Sequence, residues 1–241
     1  MRGTETISKI RLARAGERRP ERGVTSPLLY LITPIVDNPE TITPLLSRAC
    51  AGGGVAAVLL RLRSADERTL INRVKTIAPA VQDAGAALIV SVPAEPEADL
   101  AAIAARGGAD GVHAQSVAAA RLLRERLRDE RIVGIGALRS RHDCMEAGEI
   151  GVDYLLFGEP RPDGFVPPLE GTLERASWWA EIFETPCVAY APSLYVIGEV
   201  ARTGAEFIAV GDGVLDHPDG PDAGVALARR RAGEGVGEDP A

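Results

Sequence analysis

Short apolar runs alternate with longer amphipathic stretches through most of the chain. Apolar runs of four to eight residues are typical of strands buried on both faces of a parallel sheet. Stretches in which apolar residues recur every three or four positions are typical of helices. The clearest pair is Val55–Arg63 (VAAVLLRLR), followed by Glu67–Ala84, in which Leu70, Val74 and Ile77 recur at helical spacing. We therefore expect strands and helices to alternate along the chain.

This alternation occurs eight times. The predicted strands are Leu29–Thr33, Val55–Leu60, Ala87–Ser91, Asp110–His113, Arg131–Gly136, Asp153–Gly158, Pro186–Ala191 and Phe207–Gly211. Eight β–α units with short connections predict an α/β protein with a single domain, the (β/α)₈ TIM barrel. A doubly wound open sheet is the alternative, although it would more often have five or six strands. The chain also lacks the GxGxxG motif of dinucleotide-binding folds.

The two ends of the chain differ from the part between them. Residues 1–26 contain seven Arg or Lys against three Glu and little apolar periodicity, which predicts a flexible basic extension. Residues 232–241 (AGEGVGEDPA) are rich in Gly and Glu, which predicts a disordered tail. The barrel domain is therefore predicted to span residues 27–231.

Composition narrows the classes of partner. The net charge of −7 argues against a nonspecific DNA-binding protein. The chain has no run of 18 apolar residues, so no membrane helix is predicted. Its three cysteines, Cys50, Cys144 and Cys187, form no CxxC pair and favour neither a zinc knuckle nor a disulfide framework. We expect a cytoplasmic protein without a nucleic-acid or membrane partner.

The functional face of such a barrel is the carboxyl end of its strands. The polar residues at or just past the predicted strand ends are Arg61, Arg63, Ser91, His113, Gln115, Arg139, Ser140, Glu159, Arg161, Tyr190, Ser193 and Asp212. Four of them are arginines, which predicts a site for phosphate or pyrophosphate. After the last strand, Gly211–Asp212–Gly213 could bring backbone N–H groups to a phosphate. These residues also allow a plainer interpretation, in which the arginines are solvated, the glycines form a turn and His113 is structural.

Several segments, in order and at compatible spacing, resemble the thiamine-phosphate synthase and thiazole tautomerase superfamily. They are GGVAAVLLRLR, ALIVS, ARGGADGVHAQ, GVDYLLFGEP and TPCVAYAPSLYVIGEVARTGAEFIAVGDGV, and the match runs from roughly Leu29 to Leu215. The resemblance implies a (β/α)₈ barrel. It also implies a transferase of thiamine biosynthesis that couples hydroxymethylpyrimidine pyrophosphate with a thiazole phosphate, with Mg²⁺ holding the pyrophosphate.

The resemblance also suggests roles for individual residues. Arg61 and Arg63 lie at the positions that contact pyrophosphate in the family. Ser91, Ser193 and the Gly211–Gly213 segment complete the predicted phosphate-binding set. His113, Gln115 and Arg139 are the candidate catalytic residues, and Arg139 stands where the tautomerases have a histidine.

The family's magnesium ligands are not retained. Ser91–Val92 replaces the Asn-Asp pair after the third strand, and no acidic residue follows His113 closely. We therefore predict no standard metal site, with Glu159 or Asp212 as substitute ligands if Mg²⁺ binds. Pro192 also replaces a glycine of the thiazole-phosphate site, and proline has no N–H to donate.

Three functions fit this pattern. The first is a divergent thiamine-phosphate synthase with a degenerate metal site. The alternatives are a non-catalytic paralogue that binds a phosphorylated ligand or a protein partner, and an enzyme for a different phosphorylated substrate. The expected partner is a phosphorylated small molecule, and a homo-oligomer is compatible with the sequence.

Overall fold

Eight parallel strands close into a barrel in sequence order, each hydrogen-bonded to its neighbours and the last paired with the first. The computed structural model describes residues 26–94, 98–128 and 130–237. The strands are β1 (Leu28–Val36), β2 (Val55–Leu62), β3 (Ala87–Ser91), β4 (Gly111–Ala114), β5 (Ile132–Ile135), β6 (Tyr154–Phe157), β7 (Cys187–Tyr190) and β8 (Phe207–Val210). The predicted (β/α)₈ TIM barrel is therefore confirmed.

Helices follow the strands and cover the outside of the barrel. They are α1 (Pro39–Ala51), α2 (Glu67–Gln82), α3 (Leu100–Gly107), α4 (Val117–Leu127), α5 (Arg141–Ile150), α6 (Leu169–Ile182), α7 (Ile197–Ala201), α8 (Asp212–Leu215) and α9 (Pro221–Gly237). Side-chain caps begin several of them: Asp66 accepts from the backbone N–H of Thr69, and Ser140 and Asp143 form a capping box. These are the caps that short polar residues before an apolar periodic stretch provide.

Alternate strand residues face two different cores. One set fills the barrel interior and includes Tyr30, Ile32, Ala57, Leu59, Ala87, Ile89, Ile132, Tyr154, Leu156, Val188, Tyr190, Phe207 and Ala209. The other set packs against the helices and includes Leu60, Leu62, Val90, Val112 and Ile135. All eight residues of β2 are buried, because both of its faces are covered. The alternation places Arg61, Ser91 and His113 on the inner face, together with Leu59 and Ile89.

Three acidic residues hold the amino ends of neighbouring strands together in the same way. Asp110, just before β4, accepts a hydrogen bond from the backbone N–H of Leu88 in β3 at 2.7 Å. Asp153, just before β6, accepts from Val133 in β5 at 2.8 Å, and Glu206, just before β8, accepts from Cys187 in β7 at 2.9 Å. We call these three residues the strand-end carboxylates. They satisfy backbone donors at the end of the barrel opposite the candidate site.

The ends of the barrel domain correct one predicted boundary. Helix α9 continues to Gly237, past the domain end predicted at residue 231, since Ala232 is buried and Gly235 packs closely on Gly198 of α7. The predicted tail therefore does not begin at residue 232, and residues 238–241 lie outside the described part. The predicted basic extension also lies outside it, apart from Ser26. Among the helices that the structure describes, none is long and apolar enough to cross a membrane.

Candidate active site

A cavity of about 370 Å³ opens at the carboxyl ends of the strands. It is lined by Ile32, Thr33, Pro34, Ile35, Arg61, Arg63, Pro160, Arg161, Pro162, Gly164, Val166, Tyr190, Gly211 and Asp212. Its charged side chains are three arginines and one aspartate, so cations predominate on its walls. Such a surface attracts anions, and a phosphorylated ligand is of suitable charge and size.

Arg61 is the buried cation of this cavity. It is only 5% exposed, and its Nε has no hydrogen-bond partner in the part of the chain that the structure describes. Ser91, its register neighbour on β3, is also buried, and its Oγ has no hydrogen-bond partner among the described residues. A buried donor without an acceptor costs roughly 1–3 kcal/mol. Both groups are therefore suited to an acceptor that a ligand would bring.

Arg63 and Arg161 differ from Arg61 in being exposed. Arg63 lies just past the end of β2, and its Nε is 3.7 Å from a carboxylate oxygen of Asp37. The Arg161 guanidinium lies over the Phe165 ring at 4.7 Å, in the loop between β6 and α6. Arg61 and Arg63 line the same cavity, but only Arg61 is held in the barrel interior.

A chain of hydrogen bonds crosses the barrel interior below the cavity. The hydroxyls of Tyr30 and Tyr154 are 2.6 Å apart, and the Tyr154 hydroxyl is 2.9 Å from Nδ1 of His113. Nε2 of His113 is 3.2 Å from Oε2 of Glu159, and the Gln115 amide donates to Oε1 of Glu159 at 3.1 Å. His113 is fully buried and the Glu159 side chain is 5% exposed. We call these five residues the interior network.

The contact with Glu159 indicates which ring nitrogen of His113 donates to it. An ionised carboxylate can only accept, so Nε2 of His113 carries the hydrogen of that bond. The two tyrosine hydroxyls and Nδ1 of His113 complete the chain, and either hydroxyl can donate to the other.

Glu159 stays ionised despite its burial. Burial raises the pKa of its carboxyl, but the neighbouring His113, the Gln115 amide and the charge of Arg61 outweigh that effect and lower the pKa below its usual value. Room for the carboxylate exists because residue 136 is glycine. A Cβ on Gly136 would lie 2.2 Å from Oε2 of Glu159 and 2.7 Å from Nε2 of His113.

The structure brings together some of the predicted site residues. Arg61, Arg63, Gly211 and Asp212 line the cavity, and His113 and Gln115 lie in the interior network. Arg139 does not line the cavity: it is exposed, and its backbone N–H donates to Asp143 in the cap of α5. Ser193 and Gly213 do not line it either, since Ser193 precedes a 3-10 turn (Leu194–Val196) and Gly213 lies inside α8.

Two network residues were not among the predicted site residues. Tyr30 and Tyr154 lie in the middle of apolar runs and read as core aromatics, which they also are. The signal that could have found Tyr154 is the glycine paired with it across the sheet: Gly134 faces Tyr154 in register, and a Cβ there would lie 2.0 Å from Cζ of the ring.

A protein-built metal centre does not fit the residues present. Within the described ranges, no group of three or more His, Cys, Asp or Glu side chains is placed to hold a metal ion. Asp212 is the carboxylate on the cavity wall, whereas Glu159 is already bound by the N–H donors of His113 and Gln115.

Comparison with known proteins identifies the family. The family model described as thiamine monophosphate synthase matches residues 29–214. A thiamine-phosphate synthase from Rhodospirillum centenum is 38% identical over 201 residues, covering 82% of this chain and 94% of that protein. A second, from Hyphomonas neptunium, is 33% identical over 211 residues, covering 82% and 90%.

Solved structures share the barrel fold of this chain. A thiamine phosphate pyrophosphorylase from Pyrococcus furiosus has a TM-score of 0.65 at 25% identity, covering 87% of this chain and 97% of that one. A 3-hexulose-6-phosphate synthase from Salmonella typhimurium has a TM-score of 0.64 at 11% identity, covering 85% and 98%, and this likeness shows the fold alone. The chain thus belongs to the thiamine monophosphate synthase family, and its function is in thiamine biosynthesis.

Proposed function

We propose that this chain is an active thiamine-phosphate synthase that binds the pyrophosphate of hydroxymethylpyrimidine pyrophosphate at Arg61. The observation that carries the proposal is the buried Arg61 guanidinium, whose Nε has no partner in the described part and which lines the cationic cavity. A pyrophosphate oxygen would supply the missing acceptor in a charge-assisted hydrogen bond. The Ser91 hydroxyl lies next to Arg61 in register and has no partner within the described ranges, so it would donate a second hydrogen bond.

The exposed arginines are proposed to close around the rest of the anion. Arg63 and Arg161 line the same cavity from the end of β2 and from the loop after β6. Their exposed positions leave them free to turn toward a ligand at little cost in burial. Gly211 lets the backbone approach from the β8 side, where it also lines the cavity.

The reaction requires separation of charge at the mouth. The bond between the pyrimidine methylene carbon and the pyrophosphate oxygen breaks, and its electron pair leaves with the oxygen. The lone pair of the thiazole nitrogen then forms the new carbon–nitrogen bond and yields thiamine phosphate. Arg61 stabilises the departing pyrophosphate because it is already oriented in a water-poor site.

Mg²⁺ is proposed to bind mainly through the substrate. Magnesium commonly uses one or two carboxylates together with substrate phosphates and water. Asp212 is the cavity carboxylate that fits this role, and a bound ion would neutralise part of the charge of the pyrophosphate.

The site and the sequence favour a cytoplasmic enzyme that acts on a phosphorylated small molecule. All three cysteines are buried and none of them forms a disulfide in the described part of the chain, which fits a reducing compartment. Burial raises the pKa of the Cys50 thiol to about 12, so this side chain is inert.

Product formation tests the proposal directly. Purified protein is incubated with hydroxymethylpyrimidine pyrophosphate, thiazole phosphate and Mg²⁺, and thiamine phosphate is quantified by chromatography after oxidation to its fluorescent thiochrome. We expect turnover by the native protein and its loss in Arg61→Ala. Pyrophosphate binding without any turnover would instead indicate the non-catalytic paralogue, and turnover unchanged in Arg61→Ala would remove the assigned role of Arg61.

A further inference from the structure

Arg61 and Glu159 lie on opposite sides of the barrel mouth. Arg61 is near the end of β2, and Glu159 follows β6 by one glycine. In the closed order of eight strands, β2 and β6 are four strands apart in either direction, which is the largest separation that the barrel allows. The axis of the barrel therefore passes between a buried cation and a buried carboxylate.

Within the described residues, no carboxylate contacts Arg61 and no arginine or lysine contacts Glu159. No carboxylate forms an ion pair with the Arg61 guanidinium in the part of the chain that the structure describes. Glu159 is bound by the Gln115 amide and by the His113 ring, and these contacts hold its carboxylate in place. Each buried charge carries a desolvation cost that a partner would offset. Interior ionised groups kept for stability alone would be expected to pair with each other.

The carboxylate also has capacity left for a ligand. Each oxygen of an ionised carboxylate can accept two hydrogen bonds. Oε1 of Glu159 accepts one, from Gln115, while Oε2 is shared by His113 and Gln115. Pro160, the next residue in the chain, already lines the cavity.

We propose that Glu159, held by His113 and Gln115, is a second subsite for the cationic or N–H-bearing part of the substrate, opposite the anion subsite at Arg61. The mouth is thus built for a dipolar ligand, with phosphate toward β2 and positive charge toward β6. This inference rests on the proposed function, in which the bond to pyrophosphate breaks and positive charge develops on the pyrimidine side. Glu159 would stabilise that charge as it forms, so its contribution is larger in the transition state than in the bound substrate.

Two probes distinguish this subsite from the anion subsite. Inorganic pyrophosphate carries only the anion, and hydroxymethylpyrimidine pyrophosphate carries the anion together with an aminopyrimidine ring. Calorimetry of both ligands with native protein and with Glu159→Gln measures how much the carboxylate contributes to the affinity for the ring. We expect Glu159→Gln to bind pyrophosphate as tightly as the native protein or more tightly, because a negative charge near Arg61 is removed. The preference for the ring-bearing ligand should fall.

Kinetics supply the second readout. In Glu159→Gln we expect kcat to fall on the order of 10²-fold with a smaller change in KM, as for the loss of a group that acts on developing charge. Gly136→Ala provides a second variant, since its Cβ would displace the carboxylate and leave the charge in place. Both variants should show the same pattern, a large fall in kcat with a smaller change in KM. Glu174→Gln, an exposed carboxylate paired with Arg141 on the barrel surface, is the matched control and should behave as native protein.

Three outcomes would overturn the proposal. The first is an unchanged kcat and ligand preference in both variants. The second is an equal loss of affinity for both probes, which would make Glu159 a general structural support of the mouth. The third is a change confined to the Mg²⁺ requirement, which would make it a metal ligand. The binding comparison remains readable even if the native protein forms no thiamine phosphate, so failure of this proposal is distinguishable from failure of the proposed function.

Discussion

The surroundings of a guanidinium separate Arg61 from the other arginines of the barrel mouth. Arg61 is buried with an open donor, whereas Arg63 reaches Asp37 and Arg161 stacks on Phe165, both at the surface. Exposed ion pairs contribute little because water and salt screen them. Anion affinity at this mouth should therefore depend far more on Arg61 than on its exposed neighbours.

Replacing Arg61 tests this difference by binding alone. Arg61→Ala removes charge-assisted hydrogen bonds of about 1.5–3 kcal/mol, so we expect the Kd for inorganic pyrophosphate to rise roughly 10- to 100-fold. Isothermal titration calorimetry measures it. Arg68→Ala, an exposed arginine at the start of α2, removes the same charge away from the cavity and serves as control. Equal effects of the two variants would mean that net charge, and not the site, governs binding.

Gly134 is required by the interior network. A Cβ at this position would meet the Tyr154 ring at 2.0 Å, so the tyrosine would have to move away from Tyr30 and His113. We expect Gly134→Ala to lower the free energy of unfolding by about 1–3 kcal/mol, as overpacking of a core does. Urea denaturation measures the change.

The control for Gly134→Ala is Gly52→Ala. A Cβ added at Gly52 would have no neighbour within 4 Å among the described residues, and Gly52 has an ordinary negative φ of −81°. Its replacement should therefore change the free energy of unfolding by no more than about 0.5 kcal/mol. If Gly52→Ala lowered the free energy of unfolding as much as Gly134→Ala does, the cause would be backbone entropy and not the contact with Tyr154.

Residue parity explains how far the sequence predicts individual site residues. The two-residue period of a strand places Arg61 and Ser91 on the interior face, because each lies two positions from an apolar interior residue. His113 faces the interior because its neighbours Val112 and Ala114 pack against the helices. Strand parity cannot predict the contact between Glu159 and His113, because Glu159 lies in the loop after β6. The contact depends on the closure of the barrel between β4 and β6.

At the scale of elements, the strand-end carboxylates recur at three pairs of strands. Each stands just before an even-numbered strand and accepts from the first part of the preceding odd-numbered strand. The donor is a backbone N–H at the end of the sheet that the hydrogen bonds between parallel strands do not use. This repeated contact ties the strands together at the end that carries no candidate site residue.

Asp110→Ala tests one of these contacts. The Asp110 carboxylate accepts from the backbone of Leu88 at 2.7 Å and from the Gln82 amide at 2.9 Å. Its loss leaves a partly buried donor without a partner, and we expect the free energy of unfolding to fall by about 1–3 kcal/mol. Asp83→Ala, at the exposed aspartate after α2, is the control and should change stability by less than about 0.5 kcal/mol. Indistinguishable denaturation curves for the two variants would contradict the role given to Asp110.

At the scale of the whole molecule, several folded-state carboxyls share a lowered pKa. Side-chain and backbone hydrogen bonds lower the pKa of Asp66, Asp143 and Asp222, the Arg126 side chain lowers that of Asp99, and His113 with its neighbours lowers that of Glu159. A carboxyl with a lowered folded-state pKa contributes stability that is present above its unfolded-state value. That stability is lost as the pH falls through the folded-state pKa.

Stability should therefore depend on pH on the acid side. We expect the free energy of unfolding to be nearly constant above about pH 5 and to fall as the solution is acidified below about pH 4. Urea denaturation at a series of pH values measures the slope, and Glu159→Gln should reduce it. A stability that is flat from neutral pH to about pH 3, or that rises on acidification, would contradict the lowered values.

The sequence by itself determined the architecture of this protein. Eight continuous apolar runs can be buried on both faces only as parallel strands between helices, and that number closes a barrel. It also placed Arg61 and His113 at the carboxyl ends of their strands, because the end of an apolar run is a local property. Only the tertiary structure decided the interior network. Tyr30, Tyr154, His113 and Glu159 are far apart in the chain and meet because barrel closure brings β1, β4 and β6 to a common axis.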